Sequence, residues 1–159
     1  MLYGTIYGDI AGSMYEFRSV KDYNFTSVPK GSHFTDDTVM TLAVAKWLMN
    51  DGWGDEGLVE AMQEMGKAYP KAGYGGMFRK WLASENPKPY NSFGNGSAMR
   101  VAPCAWIAET LATAEALAKV SAEVTHNHPE GIKGAQAVAA AIWMAKEDYD
   151  KCEIKEYIT

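Results

Sequence analysis

The stretch Phe34-Thr35-Asp36-Asp37-Thr38-Val39-Met40-Thr41-Leu42-Ala43-Val44-Ala45-Lys46-Trp47-Leu48 decides how the rest of the chain is read. Val39, Met40, Leu42, Ala43, Val44, Trp47 and Leu48 recur at helical spacing. They predict a helix with Thr35 or Asp36 at its N-cap and Asp37 in its first turn. Two readings of this polar head stay open. Thr and Asp at a helix start accept orphan backbone N–H groups and suit the helix dipole. Two adjacent carboxylates beside a hydroxyl are also a donor set for a hard cation.

Upstream, Leu2, Ile6, Ile10, Ala11 and Met14 fall at steps of three and four, so the spacing predicts a helix over residues 2–17. Gly4, Gly8 and Gly12 interrupt it, each costing about 1 kcal/mol relative to Ala, and so call for a packing or functional reason. On such a helix Asp9 and Glu16 are close to two turns apart and project from one face, as an upstream partner for Asp36 and Asp37. Residues 18–33, with Pro29, Gly31 and Ser32, read as a loop beside that acidic cluster.

Downstream, Asn50-Asp51-Gly52 and Gly54 predict a turn, and Leu58, Val59, Met62 and Met65 an amphipathic helix over 55–68. Gly73-Tyr74-Gly75-Gly76 is a second turn, leading into a short helix with Met77, Phe78, Trp81 and Leu82. Residues 91–100 free the backbone at Gly94 and Gly96 just ahead of the apolar run from Met99 to Ala108. That pattern is either a phosphate-holding helix start or a plain turn. Thr113 to Val124 and residues 130–146 are Ala-rich helices, with Pro129 in the first turn of the second. His126 and His128 lack a nearby Cys or third His and suit hydrogen bonding better than a metal. Asp150 and Glu153 are spaced as a capping box. No segment alternates with period two, so the fold class is all-α, a compact multi-helix single domain.

The chain has 159 residues, 47% of them apolar, and a formal charge of −5. With no basic block to neutralise phosphates and no apolar run long enough to span a bilayer, nucleic acid and membrane are poor partners. A soluble cytoplasmic protein is expected. Cys104 and Cys152 stand far apart in helical segments and are expected to be reduced and structural.

Taken in order, Gly8-Asp9-Ile10-Ala11-Gly12-Ser13-Met14-Tyr15-Glu16, Phe34-Thr35-Asp36-Asp37-Thr38, Gly94-Asn95-Gly96-Ser97-Ala98-Met99-Arg100 and Thr125-His126 resemble the ADP-ribosylglycohydrolase family. That family includes nitrogenase-reactivating and ADP-ribosyl-serine hydrolases. The resemblance implies an all-helical fold, a pair of magnesium ions, and hydrolysis at C1″ of ADP-ribose attached to a protein side chain or small acceptor. By position it implies that Thr35, Asp36 and Asp37 are metal ligands, and that Glu16 and Asp36 serve catalysis, Glu16 from a flexible loop. It further implies that Asn91, Ser92, Phe93, Gly94 and Asn95 hold the diphosphate and adenosine side, with His126 on the adenosine ribose.

The family pattern also contains a later Asp-x-Asp-Thr or Ser motif that completes both metal shells. Glu147, Asp148, Asp150, Glu153 and Glu156 do not form it. Residues 1–159 are therefore expected to be a partial, truncated family domain, inactive or weak unless a complementing C-terminal chain or a second copy supplies the rest. Such a domain would expose apolar faces of residues 39–48 and 130–146 and form a homo-oligomer or a complex. The alternative is a family-derived protein that binds ADP-ribose or a related nucleotide without hydrolysing it, or serves a structural role.

Overall fold

In the computed structural model, which describes residues 2–18, 20–50 and 54–159, every regular element is a helix. They are α1 (Leu2–Gly12), α2 (Asp36–Met49), α3 (Asp55–Ala68), α4 (Gly76–Ala83), α5 (Ala102–Ile107), α6 (Leu111–Glu123), α7 (Pro129–Lys146) and α8 (Lys151–Ile158). The apolar positions of α2 place it at the centre. Val39, Met40, Ala43, Val44 and Trp47 are all buried, against α3 on one side and α5 on the other. A side chain the size of Val or Met contributes about 1.5–3 kcal/mol when fully buried, so this face anchors the fold. The Trp47 indole N–H donates to the Gly54 carbonyl at 2.9 Å and ties the start of α3 to the end of α2. In the predicted turn between them, Asp51 and Gly52 lie outside the described residues.

α6 and α7 form the second layer. Ala114, Ala118 and Ala122 of α6 and Ala135, Ala139 and Ala140 of α7 are buried, and side chains this small let the two helices approach closely. α8 begins at the predicted capping box, with the Asp150 carboxylate accepting from Cys152 and Glu153 N–H and the Glu153 carboxylate accepting from Asp150 N–H.

Three features depart from the sequence expectation. α1 stops at Gly12 rather than continuing to residue 17, and the Ser13 hydroxyl turns back to donate to the Ile10 carbonyl at 2.9 Å. α1 buries no residue, and the Cβ positions of Gly4, Gly8 and Gly12 face open space, so no packing supports a longer helix or accounts for those glycines. Nor are the faces of residues 39–48 and 130–146 left open as expected: the core face of α2 is covered, and α7 buries Ala135, Ala139, Ala140 and Met144 while exposing Val138. The most exposed large apolar side chains include Tyr3, Phe17 and Tyr23 on α1 and in the loop after it, at 79%, 89% and 98%, and Met49 at the end of α2, at 81%. Finally, Cys104 is buried but Cys152 is exposed, so only the first contributes to the core. Among the described residues no helix is long and apolar enough to cross a membrane.

Candidate functional site

The N-terminus of α2 is closed by a carboxylate from another helix. Thr35, extended at the N-cap, accepts from Asp37 N–H at 3.3 Å, as expected of a capping threonine. Its own hydroxyl donates to Asp9 Oδ1 at 2.6 Å, and its N–H to Asp9 Oδ2 at 2.8 Å. The N–H of Thr38 (3.2 Å) and its hydroxyl also donate to Asp9 Oδ2. Asp9 is thus engaged by four hydrogen bonds that lock α1 onto α2. Its neighbour in the sequence motif, Glu16, sits in the turn after α1, exposed, and not on a helix face shared with Asp9.

Asp36 and Asp37 have a different environment. Burial pushes the Asp36 carboxyl up to about 6, reinforced by the charges of Asp37, Glu16 and Asp9, with only a backbone hydrogen bond opposing the shift. Asp37 is raised by burial, then by Asp9 and Glu16. Four carboxylates from α1, the turn after it and α2 therefore share one region, although the turn, not a continuous helix, delivers Glu16.

A divalent cation would relieve this repulsion. The donors are hard oxygens: two carboxylates, and the Thr35 hydroxyl oxygen, whose proton is committed to Asp9. Among the described residues, however, no three His, Cys, Asp or Glu side chains are assembled into a coordination shell. The residues fit one part of a magnesium shell, not the whole of it.

From Asp36 a cavity of about 410 Å³ runs to His126, passing Gly75, Tyr90, Ser92 and Asn95. Its far end exists because two glycines allow close approach. A Cβ on Gly96 would lie 2.9 Å from the His126 ring, and one on Gly131 would lie 2.6 Å from the Ser92 carbonyl oxygen. The Ser97 hydroxyl donates to the Gly131 carbonyl at 2.8 Å, holding the 91–100 segment against α7. Beneath this end lies Arg100, only 1% exposed. Its guanidinium donates to the Ser121 carbonyl at 2.6 Å and to the Thr125 hydroxyl at 2.8 Å, and that hydroxyl is 2.8 Å from His126 Nδ1. Burial lowers Arg100 to about 10, so it stays charged at neutral pH. Burial, then the Arg100 charge, lowers His126 to about 4, so its imidazole is neutral.

The structure thus gathers Asp36, Ser92, Gly94, Asn95 and His126 around one cavity, with Thr35, Asp37 and Glu16 at its acidic end but not on its wall. Asn91 and Phe93 lie outside it. The Asn91 N–H donates to Asn127 Oδ1 at 2.8 Å, while Phe93 is 73% exposed and packs on the His128 ring at 5.3 Å. His128 caps α7, its Nδ1 accepting from Glu130 N–H at 3.1 Å. Sequence reasoning gave no role to Tyr90, Arg100 or Thr125. A signal for Arg100 was present: it is the one charged residue between Met99 and Ala108, an apolar run, and a charge there needs a purpose.

The sequence model described as ADP-ribosylglycohydrolase matches residues 1–158. Among curated proteins, the chain is similar to the ADP-ribosylhydrolase ARH3 of Gallus gallus, 29% identical over 178 residues, 91% of this chain and 48% of the relative. It is similarly related to ADP-ribosylhydrolase ARH3 of Homo sapiens, 29% identical over 188 residues, 96% of this chain and 50% of the relative. For the Mus musculus protein of the same name the identity is 28% over 186 residues. The chain spans about half the length of the curated relatives it matches.

Proposed function

We propose that this chain, which belongs to the ADP-ribosylglycohydrolase family, takes part in magnesium-dependent hydrolysis of ADP-ribose from a protein side chain or small acceptor. The observation that carries the reading is the continuity of one cavity from Asp36 to the Gly-rich 92–96 segment and His126. That span suits a ligand with a diphosphate in its middle and a sugar at each end. In the proposed pose the reacting ribose lies toward Asp36, the diphosphate along Ser92 to Gly96, and the adenosine side against Tyr90 and His126.

Thr35, Asp36 and Asp37 would hold magnesium, two ions in a complete site, which supplies polarisation of the ribose oxygens and lowers the pKa of bound water. The chain's own groups have simpler tasks. Asp36, which burial raises to about 6, is ionised at neutral pH, and either it or the Glu16 carboxylate accepts a proton from the attacking water. The water oxygen bonds to C1″, the bond from C1″ to the acceptor breaks, and the acceptor leaves with a proton. Because the described residues form only part of a metal shell, hydrolysis is proposed to need further oxygen ligands from another segment, a complementing chain or a second copy. A cytoplasmic setting belongs to the same proposal.

A second reading is favoured by one observation: the end around His126 is buried and hydrogen-bonded while the acidic end is incomplete. A chain with that balance binds ADP-ribose without cleaving it. Release of ADP-ribose from a modified peptide, measured with magnesium and the complementing segment, separates the two. The hydrolase reading expects turnover that Asp36→Ala abolishes, and equal rates for wild type and Asp36→Ala would contradict it.

A further inference from the structure

Arg100, Thr125 and His126 form a chain of hydrogen bonds whose proton positions can be worked out from donor and acceptor capacity. A guanidinium only donates, so at 2.8 Å the Thr125 oxygen must accept from Arg100. The same oxygen lies 2.8 Å from His126 Nδ1, and Thr125 is 0% exposed. If Nδ1 carried a hydrogen, the oxygen would accept twice and the hydroxyl's own proton would be left buried without an acceptor, a costly state. If Nδ1 is bare, the hydroxyl donates to it, and both the Thr125 oxygen and its proton are satisfied. A neutral ring with bare Nδ1 carries its hydrogen on Nε2. The buried Arg100 charge opposes a second proton on the ring, since like charges at this separation repel strongly away from water.

The Nε2 side of the ring faces the cavity. It lies 3.0 Å from where a Cβ of Gly96 would stand and 3.9 Å from that of Gly94, and has no hydrogen-bond partner among the described residues. We infer that Arg100 and Thr125 are positioning residues that fix the Nε2–H tautomer of His126, so that the ring offers an N–H donor to an acceptor oxygen of the ligand. The ligand part of this inference rests on the nucleotide reading above. The tautomer does not, because it follows from contacts within the chain. The relay selects ligands that present a lone pair at this point, a ribose or phosphate oxygen, over those that present a donor.

Imidazole nitrogen shifts in long-range proton–nitrogen spectra of the ligand-free, nitrogen-15-labelled chain test the relay directly. At neutral pH His126 should show a protonated Nε2 and a bare Nδ1. A protonated Nδ1 in the wild type would overturn the inference without any variant being made. Thr125→Val keeps the side-chain shape but removes the hydroxyl, so it should give a mixture of tautomers and weaken ADP-ribose binding about tenfold by calorimetry. Thr125→Ser should restore both the wild-type spectrum and the affinity, a rescue that mere packing would not require. Unchanged tautomer and affinity in Thr125→Val would also overturn it. A wild type with the Nε2–H tautomer but no heat with ADP-ribose would instead refute the nucleotide reading and leave the relay standing. Adenosine used as a second titrant separates a ribose oxygen from a phosphate oxygen, since only the former survives in it.

Discussion

Around His126 a cation, a hydroxyl and an imidazole are buried together and linked by hydrogen bonds, whereas at Asp36 and Asp37 carboxylate faces carboxylate with little to offset the repulsion. The first region is held by backbone packed against α7, through Gly131 and Ser97. In the second, Asp9 clamps the start of α2, reached from a helix that buries no residue of its own. The contrast teaches where this chain stops supplying its own partners. It completes the end that fits a neutral or anionic ligand and leaves uncompensated the end that fits a cation.

One kind of substitution, made at both ends, should give opposite signs. Gly131→Ala sets a Cβ 2.6 Å from a carbonyl oxygen of the main chain, which cannot move aside as a side chain would, and is expected to cost about 3 kcal/mol. Gly8→Ala on α1 meets open space and should raise stability by up to about 1 kcal/mol through helix propensity. Urea unfolding of both variants measures this. Losses of similar size would mean that α1 is packed and the contrast false.

The clamp itself can be broken. Asp9→Ala removes the acceptor for two N–H groups and two hydroxyls at the α2 start and should cost about 2–3 kcal/mol by the same measurement. An Asp9→Ala variant as stable as wild type would show that α1 contributes nothing to holding α2.

Acid separates the ends by sign. His126 titrates at about 4 in the fold against 6.5 when unperturbed, so the unfolded chain binds its proton first and stability is lost as pH falls below about 6.5. Asp36 is shifted the other way, to about 6 from 3.8, so the fold binds its proton first and gains stability as pH falls through 6. Between pH 7 and 4.5 the His126 contribution alone is a loss of about 2 kcal/mol. It should be absent in His126→Gln and more visible in Asp36→Asn, which lacks the opposing gain. A pH profile identical in wild type and His126→Gln would contradict the buried, neutral imidazole. The smallest effect is expected from Asp36→Asn at neutral pH without metal, a gain below about 1 kcal/mol after solvent screening, measured as a higher urea midpoint.

Much of this architecture is legible in the sequence. The bounds of α3 and the starts of α2, α7 and α8 follow from local chemistry: a periodic apolar face, Thr35 and Asp150 as caps, Pro129 in a first turn. Local chemistry also misled at α1, where Met14 and Glu16 continue a helical spacing that no tertiary contact enforces. The acidic cluster was legible as a set of residues but not as a division of labour. Nothing in the sequence says that Asp9 would accept four hydrogen bonds while Asp36 and Asp37 would be left to repel. The roles of Arg100 and Thr125 were hidden for a related reason: Arg100 reaches Ser121 and Thr125 only because the packing of α5 on α6 brings the two segments together.

The division between the two ends is tested most directly by titrating ADP-ribose into the chain in EDTA, by calorimetry, with wild type, Asp36→Ala and His126→Ala side by side. Binding in EDTA should survive Asp36→Ala and be lost in His126→Ala, since in the proposed pose the His126 end holds the nucleotide and the acidic end would engage it only with a cation bound. No binding to the wild type in EDTA, or equal loss in both variants, would contradict the account.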